Sequence, residues 1–178
     1  MNDNPLVQSL KEICLFLDNI GIEYMLVGGL AVGIWGEPRA TVDIDFLVSI
    51  KTDDSDLFRQ KVKESDRFIF IHDRPLIFGK ISFLRATLKS NADISVDFLF
   101  ADDDFKNEAL KRKETFQISD FSVNVSAPED LIILKLLSGR EQDNLDAKKI
   151  FEIQKKRLDR KYMQKWSKRL GIEVNKEF

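Results

Sequence analysis

In residues 41–50, with the sequence TVDIDFLVSI, hydrophobic and acidic side chains alternate from Val42 to Phe46. Successive side chains of a β-strand point to opposite faces, so a period of two predicts a strand with an apolar face of Val42, Ile44, Phe46 and Val48. Asp43 and Asp45 then share the other face. Two carboxylates side by side repel each other unless a cation lies between them. The segment therefore predicts a half-buried strand and a candidate site on its polar face.

Asp97 is a further candidate for the same site. It lies in residues 93–100, where Ile94, Val96 and Phe98 alternate with it in the same way. If this strand neighbours the first one, three carboxylates converge, which is the ligand set for two divalent ions about 4 Å apart. Mg²⁺ is the expected ion, because it takes carboxylate oxygens and keeps waters and substrate phosphates. A solvated edge of the sheet is the alternative interpretation.

A glycine pair precedes the acidic strand. Gly28 and Gly29 follow a hydrophobic run at residues 22–27 and open a segment of small residues that is typical of a helix. Backbone N–H groups at the start of a helix bind phosphate, and glycine permits close approach of the ligand. This order of elements predicts a phosphate-binding turn beside the carboxylates. A simple tight turn is the alternative.

Hydrophobic periodicity outlines the remaining elements. The predicted helices cover residues 5–20, 55–65, 102–113, 128–138, 141–157 and 159–170. The predicted strands cover residues 22–27, 41–50, 67–72, 76–88 and 93–100. Ser126 and Glu129 have the spacing of a capping box before the fourth helix. We predict an α+β fold with an α/β core over residues 1–125, in which helices flank a mixed β-sheet, and a C-terminal helical bundle over residues 126–178.

Composition excludes several kinds of site. The chain has 178 residues with one cysteine and one histidine, so an internal disulfide, a cysteine-based metal site and a zinc site with several imidazoles are excluded. No apolar run approaches the ~20 residues of a membrane span, and the first residues lack the pattern of a signal peptide. We expect a cytoplasmic protein with no membrane partner, in which any metal has oxygen ligands.

The net charge of −2 conceals two oppositely charged parts. Residues 1–104 carry a net charge of −7, and residues 105–178 carry +5. The segment Lys148–Arg169 contains ten basic residues and two acidic ones. Such a segment predicts either a solvated helix face or a surface for a polyanion such as RNA.

A second group of charged residues lies in the helical part. Lys135 interrupts an apolar run, so its ammonium group must reach solvent, a carboxylate or a phosphate. Asp143 and Asp146 share a helix face because they are three residues apart. Ala147, Ile150 and Ile153 continue that face. A buried ion-pair network of these acids with Lys135 and Arg140 is one interpretation, and a phosphate-binding role for the two cations is the other. Arg39 is similarly a candidate either to bind a phosphate or to form an ion pair with Glu37 or with a metal-site acid.

The stretch VGGLAVGIWGEPRATVDIDFLV, with Gly28-Gly29 and Asp43-Ile44-Asp45, resembles the signature of the DNA polymerase beta-like nucleotidyltransferase superfamily, in particular its small prokaryotic members. The later sequence is similar to AbiEii-type members, with a lysine (Lys135), an arginine five residues on (Arg140), and Asp-x-x-Asp (Asp143 and Asp146). That group includes toxins of toxin–antitoxin and abortive-infection systems.

The resemblance implies a function and a set of site residues. Gly28 and Gly29 would hold the triphosphate, and Asp43, Asp45 and Asp97 would bind catalytic Mg²⁺ (or Mn²⁺). Lys135 joins the three acids as a catalytic candidate. The remaining nucleotide-binding candidates are Arg39, Lys135, Arg140 and Asp146, the last of which would orient Lys135 or act as a base. The predicted activity is Mg²⁺-dependent transfer of a nucleoside monophosphate from a nucleoside triphosphate to an acceptor hydroxyl.

The charge pattern and the resemblance also lead to predictions for the acceptor and the partners. An RNA or tRNA 3′ end is favoured as acceptor because of the Lys148–Arg169 segment, and a protein antitoxin would be a further partner. Two alternatives stay open: a non-catalytic module of the same fold that binds a nucleotide or a protein, and a transferase that acts on a small molecule or a protein.

Overall fold

A computed structural model describes residues 4–172 of the chain. The helices are α1 (Pro5–Asn19), α2 (Gly28–Trp35), α3 (Ser55–Glu64), α4 (Asp104–Lys111), α5 (Pro128–Ser138), α6 (Glu141–Gln154) and α7 (Arg160–Leu170). The strands are β1 (Tyr24–Val27), β2 (Asp43–Val48), β3 (Phe68–Phe70), β4 (Leu76–Phe78), β5 (Ile81–Leu88), β6 (Ser95–Phe100), β7 (Glu114–Ile118) and β8 (Phe121–Val125). Residues 1–3 and 173–178, which belong to the two predicted segments 1–125 and 126–178, lie outside the described residues.

The strands form a mixed sheet in the order β3-β5-β6-β2-β1-β8-β7, and β4 pairs with the outer side of β5. β2 is parallel to β6, and β1 is parallel to β8. The other strand pairs are antiparallel. The acidic strand β2 therefore lies in the middle of the sheet, with the strand that carries Asp97 on one side and the strand that leads to Gly28 on the other.

Buried hydrophobic side chains connect the sheet to helices on both sides of residue 125. The same cluster includes Leu17 of α1, Phe46 of β2, Ile133 of α5, Ile150 of α6 and Trp166 of α7. The burial of each of these large side chains contributes roughly 1.5–3 kcal/mol to folding. The C-terminal helices are thus packed on the core, and the division of the chain at residue 125 stays a prediction.

Several local predictions were wrong in instructive ways. The predicted strand 76–88 is two strands, because Gly79 adopts a positive φ of 58° and turns the chain into the β4–β5 hairpin. The β7–β8 hairpin was not predicted. Val42 precedes the first residue of β2 and is 63% exposed, so it does not belong to the apolar face. Ile153 is 52% exposed, whereas Ile150 of the same helix is fully buried.

The predicted capping box of α5 does not form. The N-cap residue is Ala127, and within the described part of the chain the buried Ser126 hydroxyl has no hydrogen-bond partner. Glu129 instead accepts hydrogen bonds from Arg112 Nη2 at 3.0 Å and from the backbone N–H of Asp159 at 2.8 Å. A long-range ion pair has replaced the local cap, and it ties the start of α5 to α4 and α7.

No helix within residues 4–172 combines the length and the apolar character that crossing a membrane requires.

Candidate active site

The register of the central strands brings the predicted acids to one face of the sheet. In the parallel β2–β6 pair, Asp45 lies opposite Asp97 and Asp43 lies opposite Ser95. Paired residues point to the same face, and so do residues two apart on one strand, so all three carboxylates leave the sheet on the same side. The opposite face is fully buried, with Ile44, Phe46, Val96 and Phe98. The burial of that face fixes the register, because a slip by one residue would bury the acids.

The glycine turn lies against the second acid. Val27, the last residue of β1, is the strand partner of Asp45, so the turn that follows begins beside the Asp45 carboxylate. Gly28 has a positive φ of 63°, and a Cβ on it would lie 1.8 Å from Asp45 Oδ2. A Cβ on Gly29 would lie 3.0 Å from Thr41 Oγ1. Side chains at these two positions would fill the space between the start of α2 and the acidic strand.

Like charges and burial change the acidity of Asp45. Burial first, and then the neighbouring charges of Asp97 and Asp43, raise the pKa of Asp45 to about 6. The ammonium group of Lys135 and a hydrogen bond from the Gly29 backbone act in the opposite direction. The three carboxylates are therefore close enough to repel one another, and they lie in a place where a cation would be favoured.

Arg85 was not predicted as a site residue, and it binds the third acid. Its Nε donates to Asp97 Oδ1 at 2.7 Å and its Nη2 donates to Asp97 Oδ2 at 2.6 Å. The two residues are directly opposite each other on the antiparallel strands β5 and β6. Arg85 is the one charged residue in the strand ISFLRATL, which marks it as unusual in the sequence. Periodicity alone does not predict which side chain on the neighbouring strand it contacts.

Lys135 is buried on α5 and is held by two acids of α6. Its Nζ lies 2.6 Å from Asp143 Oδ1 and 3.1 Å from Asp146 Oδ2. Burial raises the pKa of Asp143, but hydrogen bonds from Lys135 and Ser138 more than offset this and hold it below its usual value. The ion-pair network considered from the sequence is therefore present. This network is compatible with a role of Lys135 in the site, because Lys135 and Asp143 both line the cleft described below.

Arg39 and Arg140 lie at the outer side of this network. Arg140 Nε donates to Asp143 Oδ2 at 2.5 Å, and Arg39 Nη2 lies 3.3 Å from Asp146 Oδ2. Arg39 thus pairs with neither Glu37 nor a metal-site acid, which corrects that alternative. Asp146 does not line the cleft, and it contacts Arg39 and Lys135.

A cleft of about 490 Å³ joins these parts. Its polar wall combines the glycine turn, the three acids and the cations Arg39, Arg85, Lys135 and Arg140. Its apolar wall is formed by Phe78, Ile81, Phe83, Leu99, Leu131 and Leu134. The guanidinium groups of Arg140 and Arg85 lie over the rings of Phe78 and Phe83, at 5.4 and 5.7 Å from the ring centroids. The cleft can therefore hold a polyanion on one side and an apolar or aromatic group on the other.

The donor set suits a hard divalent ion, but Asp97 is already engaged. Among residues 4–172, no three Asp, Glu, His or Cys side chains are gathered closely enough to hold a metal ion as they stand. The strand register brings Asp45 directly opposite Asp97, as expected. Both oxygens of Asp97, however, accept hydrogen bonds from Arg85. Three carboxylate groups with mutual repulsion fit Mg²⁺ or Mn²⁺ in kind, since such ions take oxygen ligands and neutralise the repulsion.

The segment Lys148–Arg169 lies apart from the cleft. The structure describes all of its residues, and none of them lines the cleft. Several of its cations are engaged within the protein: ion pairs join Lys149 to Glu37 and Arg157 to Glu114. Lys155, Lys156 and Lys161 are exposed. This surface is therefore partly neutralised, and it does not contribute to the site around the acids.

The sequence profile of the family described as "Nucleotidyl transferase of unknown function (DUF2204)" matches residues 6–176. The chain belongs to this family, and it is a nucleotidyltransferase. The predicted superfamily is confirmed, whereas the AbiEii-type assignment stays a prediction. No curated protein matches the sequence.

Solved structures confirm the predicted fold. An antigenic nucleotidyltransferase-like protein from Paracoccidioides brasiliensis is 17% identical, with a TM-score of 0.57 over 94% of this chain and 88% of that chain. The antibiotic-resistance enzyme ANT(2″)-Ia, in complex with adenylyl-2″-tobramycin, is 12% identical, with a TM-score of 0.57 over 94% of this chain and 98% of that chain. The lincosamide adenylyltransferase LnuA, bound to lincomycin, is 16% identical, with a TM-score of 0.52 over 82% and 96%. At these identities the similarity establishes the fold alone.

Proposed function

We propose that this nucleotidyltransferase moves a nucleoside monophosphate from a nucleoside triphosphate to an acceptor hydroxyl with the help of Mg²⁺ or Mn²⁺. The acceptor oxygen would bond to the α-phosphorus while the bond to pyrophosphate breaks. The observation that carries the proposal is the contact between the Gly28 turn and Asp45, with Asp43 and Asp97 beside it. A phosphate-binding turn and a carboxylate cluster in direct contact are what triphosphate chemistry requires.

Each part of the polar wall has a task in this proposal. The backbone N–H groups at the start of α2 would bind the phosphates, and Gly28 leaves room for the Asp45 carboxylate beside them. Asp43, Asp45 and Asp97 would hold the divalent ions, which neutralise charge on the triphosphate and the departing pyrophosphate. Most of the rate would come from such neutralisation and from in-line positioning.

The cations on α5 and around it would hold the triphosphate. Lys135 is buried beside Asp45 and is oriented by Asp143 and Asp146, so its ammonium group is fixed at the cleft wall. Arg39 and Arg140 are more exposed and can pair with phosphate oxygens in a bidentate manner. Asp146 is a positioning residue in this scheme, because it contacts the cations and not the cleft.

The geometry favours a small molecule as acceptor. Beside the acids, the β4–β5 hairpin adds the apolar lining residues Phe78, Ile81 and Phe83 to the cleft, and such a surface suits a compact acceptor with an apolar part. Two proteins of the same fold, LnuA and ANT(2″)-Ia, are structures with lincomycin and with adenylyl-2″-tobramycin. These likenesses support the proposal at the level of the fold.

An RNA or tRNA 3′ end is the second candidate. The exposed lysines Lys155, Lys156 and Lys161 favour it, because a polyanion is held by cations that are free to exchange counterions. The AbiEii-type resemblance belongs with this candidate, and it adds a toxin role and a protein antitoxin as proposals. In that case expression of the chain would arrest growth, and the Asp45→Asn variant would not.

The experiment that tests the proposal follows the α-phosphate. Nucleoside triphosphates labelled at the α-phosphate are incubated with the full chain, Mg²⁺ and one of three fractions of a cell extract: small molecules, total RNA or protein. We expect a labelled product in the small-molecule fraction, its loss in Asp45→Asn, and full activity in the matched control Asp93→Asn, an exposed acid four residues before Asp97. Label in RNA would select the second candidate, and no transfer to any fraction would contradict the proposed function.

A further inference from the structure

The pairing of Arg85 with Asp97 places a cation where the proposed function needs a metal. The ion pair is bidentate, with both hydrogen bonds at 2.7 Å or less, so both oxygens of Asp97 have a charged donor. The side chain of Asp97 is 7% exposed, and that of Arg85 is 35% exposed. The carboxylate is therefore shielded by the protein, while the guanidinium lies at the edge of the cleft from which a ligand would enter.

Arg85 acts on the whole acidic cluster and not on Asp97 alone. Arg85 lines the same cleft as Asp43 and Asp45, and its partner Asp97 lies directly opposite Asp45 in the sheet. A guanidinium does not lose its proton in a protein, so this positive charge is permanent. It lies over the ring of Phe83, which gives it a second favourable contact on the cleft side.

Two cations cannot share the same carboxylate oxygens without repulsion. Each oxygen of Asp97 has a second lone pair, so a divalent ion can approach it, but the ion then meets the charge of Arg85 at close range. Metal binding at Asp97 and the bidentate ion pair therefore compete. The competition works in both directions, because a bound metal weakens the ion pair by the same free energy by which the ion pair weakens metal binding.

We propose that Arg85 is the built-in counter-ion of the acidic cluster: it neutralises Asp97 in the metal-free protein and is displaced from it when a divalent ion binds. This inference rests on the proposed metal site, and it assigns Arg85 as a positioning residue. It has two consequences. The metal-free fold is protected from repulsion among three carboxylates, and the second metal binds weakly until a triphosphate brings further negative charge into the cleft.

The test measures Mn²⁺ binding to the full chain by electron paramagnetic resonance, without nucleotide. We expect Arg85→Gln to bind Mn²⁺ at least about tenfold more tightly than the wild type, or to bind an additional ion, because a like charge has been removed. Arg85→Lys keeps the charge and should stay closer to the wild type. The matched control Arg67→Gln removes an arginine that pairs with Glu12 away from the cleft, and its Mn²⁺ affinity should not change. Unchanged affinity and stoichiometry in Arg85→Gln would overturn the inference.

A second readout covers the case in which the variant folds poorly. Without metal, Arg85→Gln should have a lower melting temperature than the wild type, and Mn²⁺ should raise it by more than it raises that of the wild type. Failure of Mn²⁺ to restore the fold would also overturn the inference. The Asp45→Asn variant separates this proposal from the one it depends on. If Asp45→Asn binds Mn²⁺ as the wild type does, the metal site itself is wrong; if it loses Mn²⁺ while Arg85→Gln behaves as wild type, the counter-ion role alone is wrong.

Discussion

Gly28 and Asp45 are in such close contact that a single methyl group at Gly28 would overlap the carboxylate, with its carbon 1.8 Å from Oδ2. The contact arises because β1 ends at Val27, the strand partner of Asp45, and the chain then turns directly into α2. The proposed phosphate-binding turn and the proposed metal ligand are therefore one structural unit, and a change in either alters the other.

A comparison of Gly28→Ala with Gly171→Ala should separate the cost of this contact from the ordinary cost of a positive φ. We expect Gly28→Ala to lower the free energy of unfolding by about 3 kcal/mol and to abolish transfer, because overlap with Asp45 adds to backbone strain. Gly171 has a φ of 65° and no atom within 4 Å of a Cβ, so Gly171→Ala should cost only about 1 kcal/mol. Denaturant unfolding measures both, and equal losses would argue against the contact.

The acidity of Asp45 predicts a pH dependence of stability in the absence of metal. Its pKa is about 6 in the folded protein and about 4 in the unfolded chain, so the folded state binds this proton more tightly. The stabilisation from that proton is complete below about pH 4 and is lost as the pH rises through 6. Residue 45 does not titrate in Asp45→Asn. In EDTA, the unfolding free energy of this variant should therefore rise by about 2 kcal/mol relative to that of the wild type between pH 4 and pH 7.

Asp130, whose pKa burial raises to about 6, titrates in the same range. It is present in both proteins, so its contribution cancels in the difference. A constant difference in unfolding free energy between the wild type and Asp45→Asn across this range would show that the pKa of Asp45 is not raised in the folded protein.

Loss of Lys135 should damage both the fold and nucleotide binding. Lys135→Met leaves the buried Asp143 and Asp146 without their shared cation, which should cost about 3 kcal/mol of stability. Lys149→Met removes an exposed ion pair with Glu37 and should cost far less stability. In the folded Lys135→Met protein the KM for the triphosphate should rise about tenfold. An unchanged KM would restrict Lys135 to the ion-pair network.

Three exposed lysines, two between α6 and α7 and one in α7, distinguish the two acceptors. If the acceptor is a small molecule held in the cleft, changing Lys155, Lys156 and Lys161 together to glutamate should leave its kcat/KM within about twofold, because these side chains do not line the cleft. If RNA is the acceptor, the same change should weaken binding strongly and flatten its dependence on salt. Measuring RNA binding at several salt concentrations decides between them.

The candidate site could be predicted from the sequence where local periodicity determines it. Alternation over 41–50 and 93–100 is enough to put Asp43, Asp45 and Asp97 on polar strand faces, and burial of the opposite faces then fixes their common side. The glycine turn could be predicted in the same way, since it follows a hydrophobic strand.

Contacts between distant segments could not be predicted. Arg85 meets Asp97 because β5 pairs with β6 in one register, and Glu129 leaves its expected cap because Arg112 and the backbone of Asp159 hold it. The hairpin turn at Gly79 is a property of one residue with positive φ inside an otherwise strand-like run. In each case the decisive partner lies elsewhere in the chain or the decisive feature is a single dihedral angle, and neither alters the hydrophobic pattern.

We propose that the cleft transfers the nucleotidyl part of a nucleoside triphosphate with the help of its acidic strand. The most direct test compares α-labelled and γ-labelled triphosphates, each incubated with the full chain, Mg²⁺ and unfractionated cell extract. We predict that the α-label enters a covalent product, that the γ-label is released only as pyrophosphate, and that Asp43→Asn and Asp45→Asn abolish both. Entry of the γ-label into the product, or α-label transfer that persists in the double variant, would contradict the account.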